Sequence, residues 1–346
     1  MSENRSFFRD TVERILTDTV DKSDIDAAEE GRVLPAALHE ALTQNGITLM
    51  LVPEDQGGIG ATIGDTAEML RLIGDAAAPG PILETILGQK LLGEAGLEVT
   101  EGLLSLVFVD DGPDMQLDAT HWRHAAVHDV PWAQSVDKIL VVARDGARAR
   151  LIVSQAADWT ITPGADAAGE PRDTLTAQAL PVTTAPLPDY DAALRTAAIL
   201  RGAQILGAIE WSLRRTVEHA GERKQFGREI GKFQAVQQML AELAGHVLAG
   251  SAITEAAAEG QTSGLVAAAR SRLGDAADAA ITISHQVHGA IGFSLEYALN
   301  SRTRRLMAWR DDYGSVLYWR RTLASRFTSL NRETFWFGVS DAGLPA

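Results

Sequence analysis

The periodicity of the apolar residues changes twice along this chain of 346 residues, and the change limits the folds it can adopt. Residues 1–102 and 189–346 carry apolar side chains at helical spacing, whereas residues 103–188 carry short runs rich in Val, Ile and Leu. The order α, then β, then α predicts an α+β protein with three domains. These are an N-terminal helical domain, a small middle β-domain and a C-terminal helical bundle, with the boundaries just given.

The first domain shows the start and stop signals of short helices. Pro35 is typical of a helix start, and Asn45-Gly46 is typical of a helix end. One face of the first helical segment carries four apolar residues, Phe8, Val12, Ile15 and Leu16. We expect helices at residues 5–20, 35–45, 67–73 and 82–92, and a loop at residues 53–58.

Five runs in the middle region have the composition of β-strands: LLSLVFVD, AAVHDV, KILVVAR, RLIVSQ and DWTITP. Asp145-Gly146 lies between two of these runs and is typical of a hairpin turn. The runs therefore predict a small antiparallel barrel or sandwich. Pro181, Pro186 and Pro188 follow closely and predict a linker to the next domain.

Long helical patterns fill the last domain. Their apolar spacing predicts helices near residues 190–220, 230–258, 264–288 and 296–328. Helices of this length usually pack as an up-and-down bundle, so we expect a four-helix bundle.

Composition excludes several classes of function. The net charge of −15 argues against nucleic acid or an anionic membrane as the main partner. The chain has no cysteine, which excludes disulfides and thiolate chemistry. We find no run near the ~20 apolar residues of a membrane span and no signal-peptide pattern at the N-terminus. We expect a cytoplasmic protein without membrane insertion and without a metal site.

A basic turn lies between the first two helices of the bundle, at Arg223-Lys-Gln-Phe-Gly227. A guanidinium offers a planar fork of donors to phosphate oxygens, and Gly227 permits a tight turn. On local sequence alone, a solvated basic helix end explains the segment equally well.

A glycine-rich segment ends the third helix, at Gln286-Val-His-Gly-Ala-Ile-Gly292. Gly289 and Gly292 allow the backbone to approach a ligand closely, and Gln286 adds polar groups at the same place. The alternative is a plain turn between helices.

In this order, the two segments resemble those of the acyl-CoA dehydrogenase family. Further similarities are Val52–Gly58, Gly231–Gln237, Glu296-Tyr297 and Arg304, so the resemblance covers nearly the whole chain. It implies the same α, β, α fold and an FAD cofactor held across a subunit interface. The implied cofactor-binding residues are Arg223, Gln225, Phe226, Gln234, Gln286, His288, Gly289, Gly292 and Ser315.

The resemblance does not supply a catalytic base. The commonest family position of the base carboxylate, just before a Gly-Thr pair, falls on Tyr313 here, and the other family position falls on Ala197. A phenol with a reference pKa near ~10 is a poor base at neutral pH. Asp312 is one residue away and is the alternative base.

The β-domain also lacks the family's segments that cover the flavin ring, and Trp132 is better explained as a packing residue than as a flavin contact. This combination resembles the short subunit of heteromeric α2β2 acyl-CoA dehydrogenases of bacterial steroid side-chain degradation. It implies that this chain contributes FAD-binding residues to α,β-dehydrogenation of an acyl-CoA while a longer partner subunit supplies the base.

Two alternatives remain open. One is a self-sufficient homodimeric or tetrameric acyl-CoA dehydrogenase that uses Asp312 or another base. The other is a non-enzymatic assembly module with the family fold.

Overall fold

The computed structural model describes residues 3–110, 115–118, 120–145, 148–328 and 334. Within these residues the helices are α1 Glu3–Thr19, α2 Lys22–Gly31, α3 Ala36–Gln44, α4 Ile63–Ala76, α5 Ile82–Glu94, α6 Tyr190–Glu222, α7 Gln234–Gly260, α8 Ser263–His288, α9 Leu299–Trp309 and α10 Val316–Phe327. The strands are β1 Leu104–Val109, β2 Gln116–Leu117, β3 His121–Pro131, β4 Lys138–Asp145, β5 Arg148–Gln155, β6 Thr160–Thr162, β7 Arg172–Pro181, β8 Thr183–Leu187, β9 Lys224–Gln225 and β10 Arg228–Glu229.

The chain divides into two compact units. The first comprises Met1–Thr66 and Ala78–Ala197, and the second comprises Ala67–Ala77 and Ala198–Ala346. The first unit contains both the early helices and the strands β1 to β8. The three-domain division therefore stays a prediction.

The helices expected in the first unit are present. In α1 the residues Val12, Ile15 and Leu16 are buried, as their spacing predicts. Helix α3 begins after Pro35. Helix α2 was missed because its start depends on a reciprocal cap rather than on apolar spacing. Asp21 and Asp24 each accept a hydrogen bond from the other's backbone N–H.

The strands of the first unit form two four-stranded sheets, with the orders β1-β4-β5-β8 and β2-β3-β7-β6. Side chains from both sheets share one core, which includes Trp122, Trp159, Ile139 and Leu175. The predicted sandwich is confirmed, except that β1 and β4 pair in parallel. The predicted hairpin is also present, since Asp145 pairs with Arg148. Gly146 itself lies outside the described residues.

The proline-rich linker prediction was wrong. Pro181 ends β7, and Pro186 lies inside β8, where it is paired with Arg150 of β5. Strand β8 is at the edge of its sheet, the one place where a residue without an N–H donor is tolerated in a ladder.

The predicted helix at residues 296–328 is two helices, α9 and α10, separated by the turn Arg310–Ser315. The backbone reverses at Tyr313 and Gly314, whose φ angles are 53° and 104°. Ser315 then caps α10, because its hydroxyl accepts a hydrogen bond from the Tyr318 N–H at 3.1 Å. Apolar periodicity continued through this turn and concealed it.

We also underestimated how long and apolar helix α6 is. Its length and apolar composition satisfy the criteria for a membrane span, contrary to our expectation that no segment would. Of its most apolar stretch, 89% is buried inside the protein, as is typical of a core helix.

Helices α4 and α6 touch backbone to backbone in the second unit. A Cβ atom at Gly207 would overlap the carbonyl oxygen of Arg71, and one at Gly74 would overlap that of Gln204. Beside this crossing, Arg71 forms a two-pronged ion pair with Glu210, at 2.6 Å from Nε and 2.7 Å from Nη2. The last turns of α4 are thereby fixed to α6.

We predict that Gly207→Ala lowers the free energy of unfolding by at least about 2 kcal/mol, because the added methyl forces two backbones apart. Gly221→Ala on the same helix is the control, since no atom lies within 4 Å of its added Cβ. The control should shift stability by no more than about 1 kcal/mol, in the stabilising direction. Urea unfolding checks both, and equal effects would contradict the crossing.

A buried histidine joins two segments of the first unit. The His39 side chain is 5% exposed, and its Nε2 lies 3.2 Å from the carbonyl oxygen of Pro79. Burial lowers the pKa of His39 to about 4. The ring is therefore neutral at pH 7 and must gain a proton against desolvation when acid is added.

We predict that His39 makes stability depend on pH between 6.5 and 4. Its folded pKa is below the unfolded value, so the unfolded chain binds more protons in this window and stability falls as pH falls. The loss for this one group is about 3 kcal/mol. In urea titrations, His39→Gln, which keeps a donor for Pro79, should lose correspondingly less stability than wild type across the window. Parallel pH curves for the two proteins would refute this assignment.

Candidate functional site

The basic turn is a protruding β-hairpin in the second unit. Helix α6 ends at Glu222, and β9 and β10 pair around a two-residue turn of Phe226 and Gly227. Their φ angles are 53° and 81°, both positive as in a type I′ turn. Phe226 is 92% exposed, although it is apolar and in a conformation that is unfavourable for its side chain. The turn places Phe226 outward.

Positive charge surrounds this hairpin. Glu229 pairs with Lys232 at 2.6 Å, and this hydrogen bond lowers the pKa of Glu229. The Arg228 guanidinium lies over the Phe233 ring, 4.2 Å from its centroid. Arg223 is exposed and has no ion pair with any other residue that the structure describes. Its guanidinium is therefore available to an anionic ligand.

The glycine-rich segment lies beside a cleft at the end of α8. Gly289 has φ 62° and ψ −143°, a conformation open only to glycine, and a Cβ added there would meet no atom within 4 Å. The cleft holds about 720 Å³ and is lined by Ile281, Thr282, His285, Gln286, Gly289, Ala290, Phe293, Leu295, Asn300, Thr303, Arg304 and Met307. Gln286 and Gly289 thus border a space of ligand size.

Two stacked histidines join the hairpin to this segment. His219, one turn before Arg223 on α6, stacks on His288 at the end of α8 with ring centroids 4.3 Å apart. His288 Nδ1 lies 2.7 Å from the Ser284 carbonyl oxygen and therefore carries the hydrogen. Burial lowers the pKa of His288 to about 4, which keeps the stacked ring neutral at pH 7. The structure brings the two sequence motifs to one end of the second unit.

The remaining predicted cofactor residues are more dispersed. Gln234 is exposed at the start of α7. Gly292 is buried, with its backbone packed close to His288. The Ser315 hydroxyl caps α10. The cofactor roles of Gln234, Gly292 and Ser315 therefore stay predictions.

The positions of the catalytic base hold no free carboxylate. Ala197 is fully buried, and Tyr313 lies in the turn after α9. The Asp312 Oδ2 lies 3.2 Å from Nε of Arg201, whose side chain is 5% exposed. Both carboxylates near that position are engaged: Asp312 is paired with a buried cation, and Asp311 is paired with Arg310 at 3.3 Å.

Sequence reasoning missed the burial of Arg201 on α6 and Arg270 on α8, two of the four buried arginines among the described residues. Each interrupts an apolar stretch, AAILRGAQIL and VAAARSRL, and an isolated charge on a core face was the available signal. Trp132 is 2% exposed, in agreement with a packing role. Among the described residues, no three acidic or histidine side chains are grouped as metal ligands.

Comparisons with known proteins find similarity to acyl-CoA dehydrogenases. Residues 190–315 match the family described as acyl-CoA dehydrogenase, C-terminal domain. Acyl-CoA dehydrogenase IpdE2 of Mycobacterium tuberculosis is 28% identical over 305 residues, covering 88% of this chain and 91% of that protein.

Solved structures share the fold. The ChsE4-ChsE5 complex from Mycobacterium tuberculosis matches with a TM-score of 0.84 at 20% identity, covering 96% of this chain and 99% of that one. The Tcur3481-Tcur3483 steroid ACAD G363A variant matches with a TM-score of 0.82 at 22% identity, covering 93% and 97%.

We predict that Phe226 is a poor residue for its own turn, because its positive φ disfavours an aromatic side chain. Phe226→Asn should slow amide hydrogen exchange in the hairpin, because asparagine tolerates positive φ better by about 1 kcal/mol. Gly227→Val is the opposing control and should speed exchange, since a β-branched side chain is strained at the φ of 81°. Faster exchange in Phe226→Asn would mean that the aromatic ring stabilises the turn itself.

Proposed function

We propose, from the premise that this chain belongs to the acyl-CoA dehydrogenase family, that it is a subunit which binds part of an FAD and leaves the catalytic base to a longer partner subunit. The reaction proposed for the assembly is α,β-dehydrogenation of an acyl-CoA thioester. The observation that carries the proposal is the ion pair between Asp312 and Arg201.

The residues of the hairpin fit the anionic part of a dinucleotide. Arg223 and Lys224 are exposed on a protruding turn, and Arg223 has no competing carboxylate among the described residues. Gln286 and Gly289 border the open cleft at the same end of the second unit. These residues would bind pyrophosphate and ribose oxygens, and Phe226 would cover an apolar part of the nucleotide. When bound, FAD supplies the hydride acceptor of the reaction.

Proton removal from the substrate needs a carboxylate free to accept it. Asp312 is held by Arg201, Tyr313 is a phenol and Ala197 has no functional group. The Asp312 carboxylate is engaged in an ion pair with a buried guanidinium, whereas a base for this reaction stands in an apolar pocket. We therefore assign the base to another chain.

The assembly follows from the same reasoning. Phe226 and Arg223 are both exposed on one turn and need a neighbouring subunit to complete a binding site, so we propose a hetero-oligomer rather than a monomer. The match to the ChsE4-ChsE5 complex, which is named for two different proteins, supports this arrangement. The match to the steroid ACAD variant supports a steroid-type assembly. We propose that this assembly is cytoplasmic.

We predict that Arg223→Ala lowers FAD occupancy of the complex formed with the longer subunit, because charge-assisted hydrogen bonds of about 1.5–3 kcal/mol are lost. Arg9→Ala is the matched control, since Arg9 is an exposed arginine paired with Glu13 on α1. Flavin absorbance per complex after gel filtration measures both variants. The control should retain wild-type occupancy.

Three outcomes would count against the proposal. Unchanged occupancy in Arg223→Ala would remove the arginine from the cofactor site. A yellow, active homo-oligomer of this chain alone would support the self-sufficient enzyme with Asp312 or another base. A stable oligomer that never holds flavin would support an assembly module.

A further inference from the structure

The turn between α9 and α10 covers a buried cluster of charge. Asp312 faces Arg201 at 3.2 Å, and Arg201 also donates to the side-chain oxygen of Gln204. Both arginines of the cluster, Arg201 and Arg270, are buried. Two cations and one carboxylate thus share a region with little access to water.

Arg270 holds the backbone of the same turn. Its Nη2 donates to three carbonyl oxygens, those of Trp309 at 3.3 Å, Arg310 at 3.0 Å and Asp312 at 2.7 Å. These are the last carbonyls of α9 and its extension, which carry the negative end of the helix dipole. Burial lowers the pKa of Arg270 to about 10, while Asp312 opposes that shift, so the guanidinium is charged at neutral pH.

Aromatic rings close the cluster. The guanidinium carbon of Arg201 lies 5.3 Å from the centre of the Trp309 ring and 5.6 Å from that of Tyr313. Both distances are within the range of cation–π attraction. Two contacts therefore maintain the rare positive φ of Tyr313. Arg201 packs against its ring, and Arg270 binds the backbone carbonyls that precede it.

We propose that Asp312 is the counter-ion of Arg201 and, together with the Arg270 bonds to the backbone, the positioning residue of the turn Arg310–Ser315, and that it does not accept a proton from substrate. The proposal deepens the proposed function and rests on it only for the last clause. Removing the carboxylate that pairs with the buried Arg201 leaves a buried cation without its ion-pair partner, which is among the more destabilising changes known for a protein interior.

The first test is thermal unfolding of the chain alone, without flavin or partner. Asp312→Asn should lower Tm by about 5–15 °C. Asp275→Asn removes an exposed aspartate paired with Arg320, whose side chains are 48% and 52% exposed. This control should change Tm by less than about 3 °C. Equal Tm values for wild type and Asp312→Asn would overturn the proposal.

A second measurement separates positioning from general stability. At a temperature well below unfolding, Asp312→Asn should speed amide hydrogen exchange across Arg310–Val316 at least tenfold while exchange at the α4–α6 crossing is unchanged. The double variant Arg201→Met with Asp312→Leu should recover at least half of the lost Tm, because both members of the pair are removed together. Additive losses or uniform exchange would contradict the positioning role.

The last measurement concerns the proton. In the complex with the longer subunit, the rate of flavin reduction by an acyl-CoA, per bound flavin, should change less than about threefold in Asp312→Asn. A loss of a hundredfold or more with unchanged Tm would identify Asp312 as the base and overturn the inference. A wild-type complex without flavin would instead contradict the proposed function and leave the unfolding results standing.

Discussion

The second unit depends on the contact between α4 and α6, where two glycines allow the helix backbones to meet. Gly74 and Gly207 leave no room for a side chain, and the Arg71–Glu210 ion pair lies next to them. Because α6 is held at this point, the residues on either side of it have fixed positions. Arg201 precedes the crossing by less than two turns, and Arg223 is the first residue after the same helix.

Two arginines, Arg201 in α6 and Arg223 directly after it, serve opposite purposes. At Arg201 the guanidinium is buried, paired with a carboxylate and covered by rings, so it stabilises the turn after α9. At Arg223 it is exposed and unpaired within the described residues, so it is available for a ligand. The difference arises from what packs around each residue, which the sequence alone does not show. Likewise, Asp312 is close in sequence to a family position for a base but has a cationic neighbour from another helix.

Local signals predicted much of the fold. The helices α1, α3 and α5 to α8 and the strands β1, β4 and β5 follow from apolar spacing and turn residues. The errors arose where tertiary contacts decide. A proline in β8 is permitted by its edge position, and the break at Tyr313 is held by two arginines from distant helices. The two candidate motifs were found by their order along the chain, whereas the His219–His288 stack that joins them depends on the packing of α6 against the end of α8.

Strand β8 has a consequence for how the first unit behaves among its neighbours. An edge strand with free backbone donors invites a strand from another molecule to join the sheet. Pro186 has no N–H to offer, and Pro188 follows immediately after the strand, so this rim is poorly suited to extension by a foreign chain. The prolines expected to mark a domain boundary thus lower the tendency of this one edge to start an intermolecular β-sheet.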